Sequence, residues 1–247
     1  MRMGMGMKFG GAETLFSNKY YLDFGGTDEY VQCGQINELL NTDKVLLSFW
    51  GESATISDTL AISNADTSIV NRFALIKFTD GKLYFICGGG GIGHIYCKTD
   101  SAISNNELHL YGVSFDGSLV GDAKVQMFID SVSVPFTVTG TIPDTVCPVM
   151  DEFTIGKYDP TYFSKGIIDE PVIVNNFIGS PTTIFESLYG GGTPETCGDP
   201  GSIPNVLENW RMGDKATWDG SNWTFPGQQG NYNGTSNLME ESDVKEY

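Results

Sequence analysis

An all-β fold of two packed antiparallel sheets, or a barrel, is what this sequence predicts, and three observations carry the prediction. Short runs of β-branched and aromatic residues recur along the chain, several alternate apolar with polar positions, and turn residues separate them. Helical periodicity surfaces only briefly. The strand–helix alternation of a parallel sheet develops nowhere.

The strands are expected at 19–24, 29–33, 44–50, 72–78, 83–87, 94–98, 107–115, 123–129, 132–138, 152–155 and 167–174. In "AKVQMFID", Val125, Met127 and Ile129 point to one face while Lys124, Gln126 and Phe128 point to the other. The segments "GGTD", "SFDGS" and "DPTYFSKG" supply turns, and Asp116-Gly117 and Asp130-Ser131 read as hairpin turn pairs. One helix of two turns is expected in "SPTTIFESLYGGG", with Ser180 as N-cap, Pro181 at the first helical position, Ile184 and Leu188 on one face, and Gly190 as the stop. Residues 36–40, "INELL", offer a single further turn.

"LYFICGGGGIGHIYCKTD" contains Gly88-x-Gly90-x-x-Gly93 after an apolar run, the spacing of a dinucleotide-binding loop. That loop needs a following helix whose N-terminal N–H groups hold a pyrophosphate. Here the continuation is short, β-branched and aromatic, with no helical period. It reads as a second strand, which makes the glycine cluster a hairpin connection.

The 31 acidic residues outweigh 14 basic ones for a formal net charge of −17, which disfavours phosphate backbones and anionic lipid as partners. No run of about 18 apolar residues is present to span a membrane. Cys33, Cys87, Cys97, Cys147 and Cys197 form no C-x-x-C pair and are odd in number, so buried free thiols are expected; a Cys87–Cys97 bridge is the alternative. The N-terminal "MRMGMGMKFGGAE" lacks the apolar core of a signal peptide, which points to cytoplasmic synthesis. Residues 1–17 read as a flexible arm, 18–190 as the sandwich, and 191–247 as a Gly/Asn/Trp-rich extension with one further strand. Trp210, Trp218 and Trp223 carry too much apolar area to stay in water, so the extension is expected to dock on the sandwich or on a partner.

Four fragments in order resemble the concanavalin A-like, laminin-G-like jelly rolls: "YYLDFGGTDEYVQCG", "LHLYGVSFDGS", "VQMFIDSVSV" and "FTIGKYDPTYFSKGIIDEPVIVNNFIGSPTTIFESLY". They cover Tyr20 to Tyr189. Departures include Leu108 where that family usually has Trp, Ser131 where it has Gly, and Pro171 after Asp-Glu, which places the strand at an edge or a bulge. The Ser-Pro helix would cap an open end of the sandwich. The "WRMGD" strand and the Gly/Asn-rich tail ending in "NLM" resemble the C-terminus of laminin-G-like proteins of tailed bacteriophages.

What the resemblance implies about function is a non-enzymatic structural component of a phage virion: a head fibre, decoration protein or tail-associated adhesin. Its partners would be other virion proteins, its assembly a homo-oligomer such as a trimer, and its location the virion. The alternative is a lectin-like module for cell-surface glycans. The resemblance also implies one structural calcium ion, with Asp28, Asp169 and Glu170 as candidate ligands. Tyr158, Tyr162 and Phe163 in "KYDPTYF" are candidates for stacking on a sugar ring. The E-x-D-x-x-E strand of the β-glucanases is absent, and Asp151-Glu152 and Asp169-Glu170 are adjacent pairs expected on opposite strand faces. His94 and His109 sit in no nucleophile motif, so no catalytic residue is expected.

Overall fold

The structure, a computed structural model, describes residues 18–64, 72–88, 95–147, 149 and 151–247. Its strands, numbered in chain order, divide among two large antiparallel sheets and one ribbon. The eight-stranded sheet runs β10 (Val132–Val134), β9 (Val125–Ile129), β8 (His109–Asp116), β3 (Lys44–Glu52), β15 (Lys165–Asn175), β1 (Tyr20–Gly25) and β20 (Val244–Glu246), with β16 (Val206–Asn209) also paired to β15. The ten-stranded sheet runs β11 (Phe136–Thr139), β7 (Tyr96–Thr99), β6 (Leu83–Cys87), β5 (Phe73–Lys77), β4 (Leu60–Asn64), β12 (Phe153–Ile155), β2 (Tyr30–Gln32), β19 (Gly234–Asn237), β18 (Trp223–Phe225) and β17 (Thr217–Trp218). The ribbon joins β13 (Lys157–Asp159) to β14 (Tyr162–Phe163). This is the pair of antiparallel sheets that the alternating runs predict, in the jelly-roll sandwich that the family resemblance implies.

The two-residue period decides which side chains meet between the sheets. Val45, Leu47 and Phe49 of β3 face Phe73 and Leu75 of β5 and Phe85 of β6 across one fully buried core. Asp130 and Ser131 both have positive φ, 53° and 66°, and turn β9 into β10 with Ile129 opposite Val132, as the hairpin reading requires. β6 and β7 pair antiparallel with Phe85 opposite Cys97, so the strands flanking the glycine cluster form the predicted hairpin. Residues 89–94 of that cluster, with His94, lie outside the described residues, as does the arm 1–17.

The helix α1 (Pro181–Tyr189) begins on Pro181 and ends where Gly190 takes φ 49°. It does not cap an open end. Ile184, Phe185 and Leu188 instead bury against Leu46, Trp50, Phe128 and Val174 on the outer face of the eight-stranded sheet. Two ring stacks hold it there, Phe128–Phe185 at 4.2 Å and Trp50–Tyr189 at 5.5 Å. Gly112 makes the approach possible, since a Cβ there would lie 2.0 Å from the Phe185 ring.

Of the edge or bulge expected at Pro171 the structure takes the bulge, and the expectation of a single strand after Gly190 is corrected. β15 is central, flanked by β1, β3 and β16, and Pro171 sits in a bulge where the register shifts between Asp169 and Val172. The bulge absorbs the missing ladder donor without exiling the strand to an edge. The segment after Gly190 supplies five strands rather than one, and these extend both sheets. Trp210 is fully buried, stacks on Phe153 at 6.0 Å and donates its indole N–H to the Tyr232 carbonyl at 2.8 Å. The buried Glu208 carboxylate accepts from the backbone N–H groups of Gln229, Asn231 and Tyr232 at 2.7–3.0 Å. An aromatic anchor and a charge-assisted staple together make the tail part of the core.

Candidate functional site

Side chains on the outer face of the ten-stranded sheet alternate with the core. Ile76 stands opposite Tyr84 and Ile86 opposite Tyr96, all pointing away from the sandwich interior. Such a face normally carries polar residues. Here it is apolar and aromatic, and the β13–β14 ribbon folds beside it. Gly156 starts that excursion: its φ of 92° and its N–H bond to the Ala61 carbonyl turn the chain out of β12, and a Cβ would strike the Phe24 ring at 2.4 Å. Asp159 Oδ1 then accepts from the N–H groups of Thr161 and Tyr162 at 2.8 and 3.1 Å, an Asx turn that fixes Tyr162 in place.

Phe78, Tyr84, Tyr96 and Tyr158 with Ile76 and Ile86 enclose a hollow of about 280 Å³. Phe78 is the hub, with ring centroids 5.6 Å from Tyr84, 6.4 Å from Tyr158 and 5.0 Å from Tyr162, and Tyr84 lies 5.5 Å from Tyr96. Polar groups rim it. Tyr84 donates to Asp80 at 2.8 Å, and Lys98 Nζ lies 5.6 Å over the Tyr84 ring. Arg72 donates to the Tyr158 hydroxyl at 2.9 Å, pairs with Asp159 at 3.2 Å and stacks its guanidinium 4.8 Å over the Tyr158 ring. Burial pushes the Tyr84 and Tyr158 phenols up, so both stay protonated hydroxyls at neutral pH. Apolar walls with a few convergent polar groups are the chemistry of a small-ligand site.

Of the residues expected to stack on a sugar, Tyr158 and Tyr162 come together here, one buried and one exposed. Phe163 does not. Adjacent ribbon residues point to opposite sides, and Phe163 faces Tyr30 and Lys157 instead. The sequence reading missed Phe78, Tyr84, Tyr96 and Arg72. The alternation of "LYFIC" against "HIYCK" was the available signal, because it puts both tyrosines on the face opposite the core cysteines.

The calcium candidates do not form one cage. Asp28 lies beyond the Gly25 end of β1, while Asp169 lies beside the Leu22–Ile168 pair, roughly 10 Å along the strand. Asp169 is saturated by donors, accepting from Asn18 Nδ2 at 2.5 Å, Tyr247 OH at 2.7 Å, Glu170 N at 2.8 Å and Met212 N at 3.3 Å. Glu170, at φ 45° in the bulge, is buried like Asp169, with Arg211 Nε 3.7 Å from its Oε1. Burial pushes both carboxyl groups upward, and the hydrogen bonds that Asp169 accepts oppose the rise there. Among the described residues no group of three His, Cys, Asp or Glu side chains could hold a metal ion.

The five cysteines are buried free thiols; burial raises Cys97 to about 12. His109, on β8, lies between Ser104 Oγ at 2.8 Å and Asp130 Oδ2 at 2.7 Å. Sequence spacing concealed this because the β8–β9 pairing brings Asp130 to it. No helix among the described residues is long and apolar enough to cross a membrane.

No protein-family model matches the sequence, and no curated protein matches it. Solved structures do. A Bacteroides ovatus protein provisionally assigned as carbohydrate-binding superposes over 94% of this chain with a TM-score of 0.65 at 12% identity, and this chain spans 60% of its length. A heptameric SAP-like pentraxin of Limulus polyphemus superposes over 79% of this chain and 91% of its own, with a TM-score of 0.51 at 10% identity. The LG4-5 domains of the mouse laminin α1 chain align over 62% of this chain and 41% of theirs, with a TM-score of 0.49 at 12% identity. At such identities the likeness is one of fold. The chain has a jelly-roll β-sandwich fold.

Proposed function

We propose that this chain is a glycan-binding jelly-roll module whose site is the hollow formed by Phe78, Tyr84, Tyr96, Tyr158 and Tyr162. The observation that carries the reading is an aromatic, partly open patch on the outer face of a sheet, in a molecule of net charge −17. Contiguous apolar surface of this kind marks a binding site. Aromatic faces suit the C–H-rich face of a pyranose, while Asp80, Lys98 and the tyrosine hydroxyls are placed to bond its hydroxyl groups. The acidic surface favours neutral or cationic glycans over sulfated or phosphorylated ones. The carbohydrate-binding assignment of the Bacteroides ovatus protein supports this reading.

A glycan array probed with the full chain tests it. Binding to a defined set of oligosaccharides, lost in Tyr84→Ala, is expected. A blank array, or binding untouched by that substitution, refutes it.

We also place the module on a phage particle, as a decoration protein or adhesin, a reading supported by the resemblance of "WRMGD" and the tail that follows to phage-encoded laminin-G-like proteins. Repetition on a particle would make weak single sites effective through multivalency. Mass spectrometry of purified particles finds the chain if this holds and fails to find it if it does not.

A further inference from the structure

Away from the aromatic hollow, the turn between β9 and β10, the start of β8 and the loop from β7 to β8 converge on a second one. Its volume is about 370 Å³, with Ile103, Ile129, Val134 and Pro135 as apolar lining and Ser104 and His109 at its edge. Asp130 is pinned first: its Oδ1 accepts the Leu110 N–H at 2.9 Å and its own N–H donates to the Leu110 carbonyl at 2.9 Å. The second oxygen therefore faces His109 Nδ1 at 2.7 Å. A proton on Nδ1, shared with Asp130, leaves the Nε2 lone pair aimed at Ser104 Oγ, 2.8 Å away. Ser104 Oγ donates to Glu107 Oε2 at 2.5 Å, and rotation of the hydroxyl hydrogen toward Nε2 is what engages His109. The Ser104 loop is tied down by Ile103 N to the Gly81 carbonyl at 2.8 Å, Asn106 N to the Ser53 carbonyl at 2.9 Å and Asn105 Nδ2 to the Ala54 carbonyl at 3.0 Å.

A hydroxyl in hydrogen-bond reach of a base, itself oriented by a carboxylate, is the arrangement that makes serine a nucleophile, and it is recognised by geometry rather than chain order. We propose that Ser104 and His109 form a second, hydrolytic site for carboxylic esters, with Asp130 as a positioning residue and the neighbouring hollow as the acyl pocket. Ser104 Oγ bonds to the ester carbonyl carbon and its proton passes to His109 Nε2. The carbon–oxygen bond to the alcohol breaks as His109 returns that proton to the departing oxygen. Water repeats the sequence on the acyl-serine, releasing the acid and regenerating the hydroxyl. No oxidant, reductant or metal enters the balance.

The groups facing His109 are Ser104, Asp130, Glu107 at 3.6 Å and the Tyr111 ring at 6.0 Å. The bond to Asp130 raises the imidazole above its usual value, so hydrolysis should rise with pH through an inflection above about 6.5.

The test uses the full chain, a fluorophosphonate probe and p-nitrophenyl acetate. The expected result is one phosphonate adduct on Ser104, found by tandem mass spectrometry, with ester hydrolysis lowered roughly 100-fold or more by Ser104→Ala and by His109→Gln. Glu107→Gln should lower the pH inflection, an effect that a merely structural Glu107 would not produce. The exposed Ser104 position lets Ser104→Ala fold, which circular dichroism checks. Absence of the adduct on the native chain, or hydrolysis by folded Ser104→Ala equal to that of the native chain, overturns the proposal. Either outcome leaves the glycan-array result untouched.

Discussion

Replacing Trp210 by Ala tests whether the C-terminal segment belongs to the sandwich core. The indole is fully buried, and a tryptophan buries about 150–250 Å². At about 25 cal/mol per Å² that amounts to roughly 4–6 kcal/mol, an upper figure because the denatured chain is partly collapsed. Truncations of buried Trp cost about 3–5 kcal/mol. The substitution also strips the Tyr232 carbonyl of its 2.8 Å donor, worth about 1 kcal/mol more. A loss near 4 kcal/mol is therefore expected, or about 8–16 °C in Tm for a chain of this size. Urea titration followed by circular dichroism and by tyrosine fluorescence gives the value, and both probes should move together with an unchanged m-value. A loss below about 1 kcal/mol, or an early transition of the tail alone, would refute the claim that one core spans both sheets.

Gly112→Ala should cost about 1–3 kcal/mol by driving Phe185 off the eight-stranded sheet, and protease cutting near α1 should accelerate; unchanged stability would mean that the helix is not seated on Gly112. Glu170→Gln should flatten the pH dependence of stability. A carboxyl whose folded value is raised contributes fully below its unfolded value of about 4.3, and that contribution is lost as pH climbs through the raised folded value. The variant should therefore gain on the native chain as pH rises above about 4.3, and identical Tm–pH curves would contradict a raised Glu170 carboxyl. Millimolar calcium should leave Tm within about 1 °C, because the Asp169 oxygens already have four donors and Asp28 lies elsewhere. A clear rise would reveal a cation site that these residues do not form.

What could be read from the sequence follows the range of the interactions. Local patterns were legible: the alternation in β9, the Asp130-Ser131 turn, and the Ser180-Pro181 start and Gly190 stop of α1. The surface that α1 covers was not, since Gly112 and Phe128 signal a helix seat only once their strands are paired. β17 and β18 are two and three residues long, too short for any period to show, and β19 finds its partner in β2 near the other end of the chain. Glu208 in "VLENW" looks like a solvent residue until the loop at Gln229–Tyr232 wraps it with N–H groups. At the candidate site, "KYDPTYF" pointed to Tyr158 and Tyr162 by composition alone. Phe78, Tyr84 and Tyr96 joined them only through sheet register, and the one-residue parity of the ribbon sent Phe163 away.

Isothermal titration of the best-binding oligosaccharide into the native chain and into Tyr84→Ala bears most directly on the aromatic hollow. Loss of the ring should weaken binding at least about tenfold, about 1.4 kcal/mol, with the fold intact by circular dichroism. Equal affinities for the two proteins would mean that the glycan sits somewhere other than against Tyr84 and its neighbours.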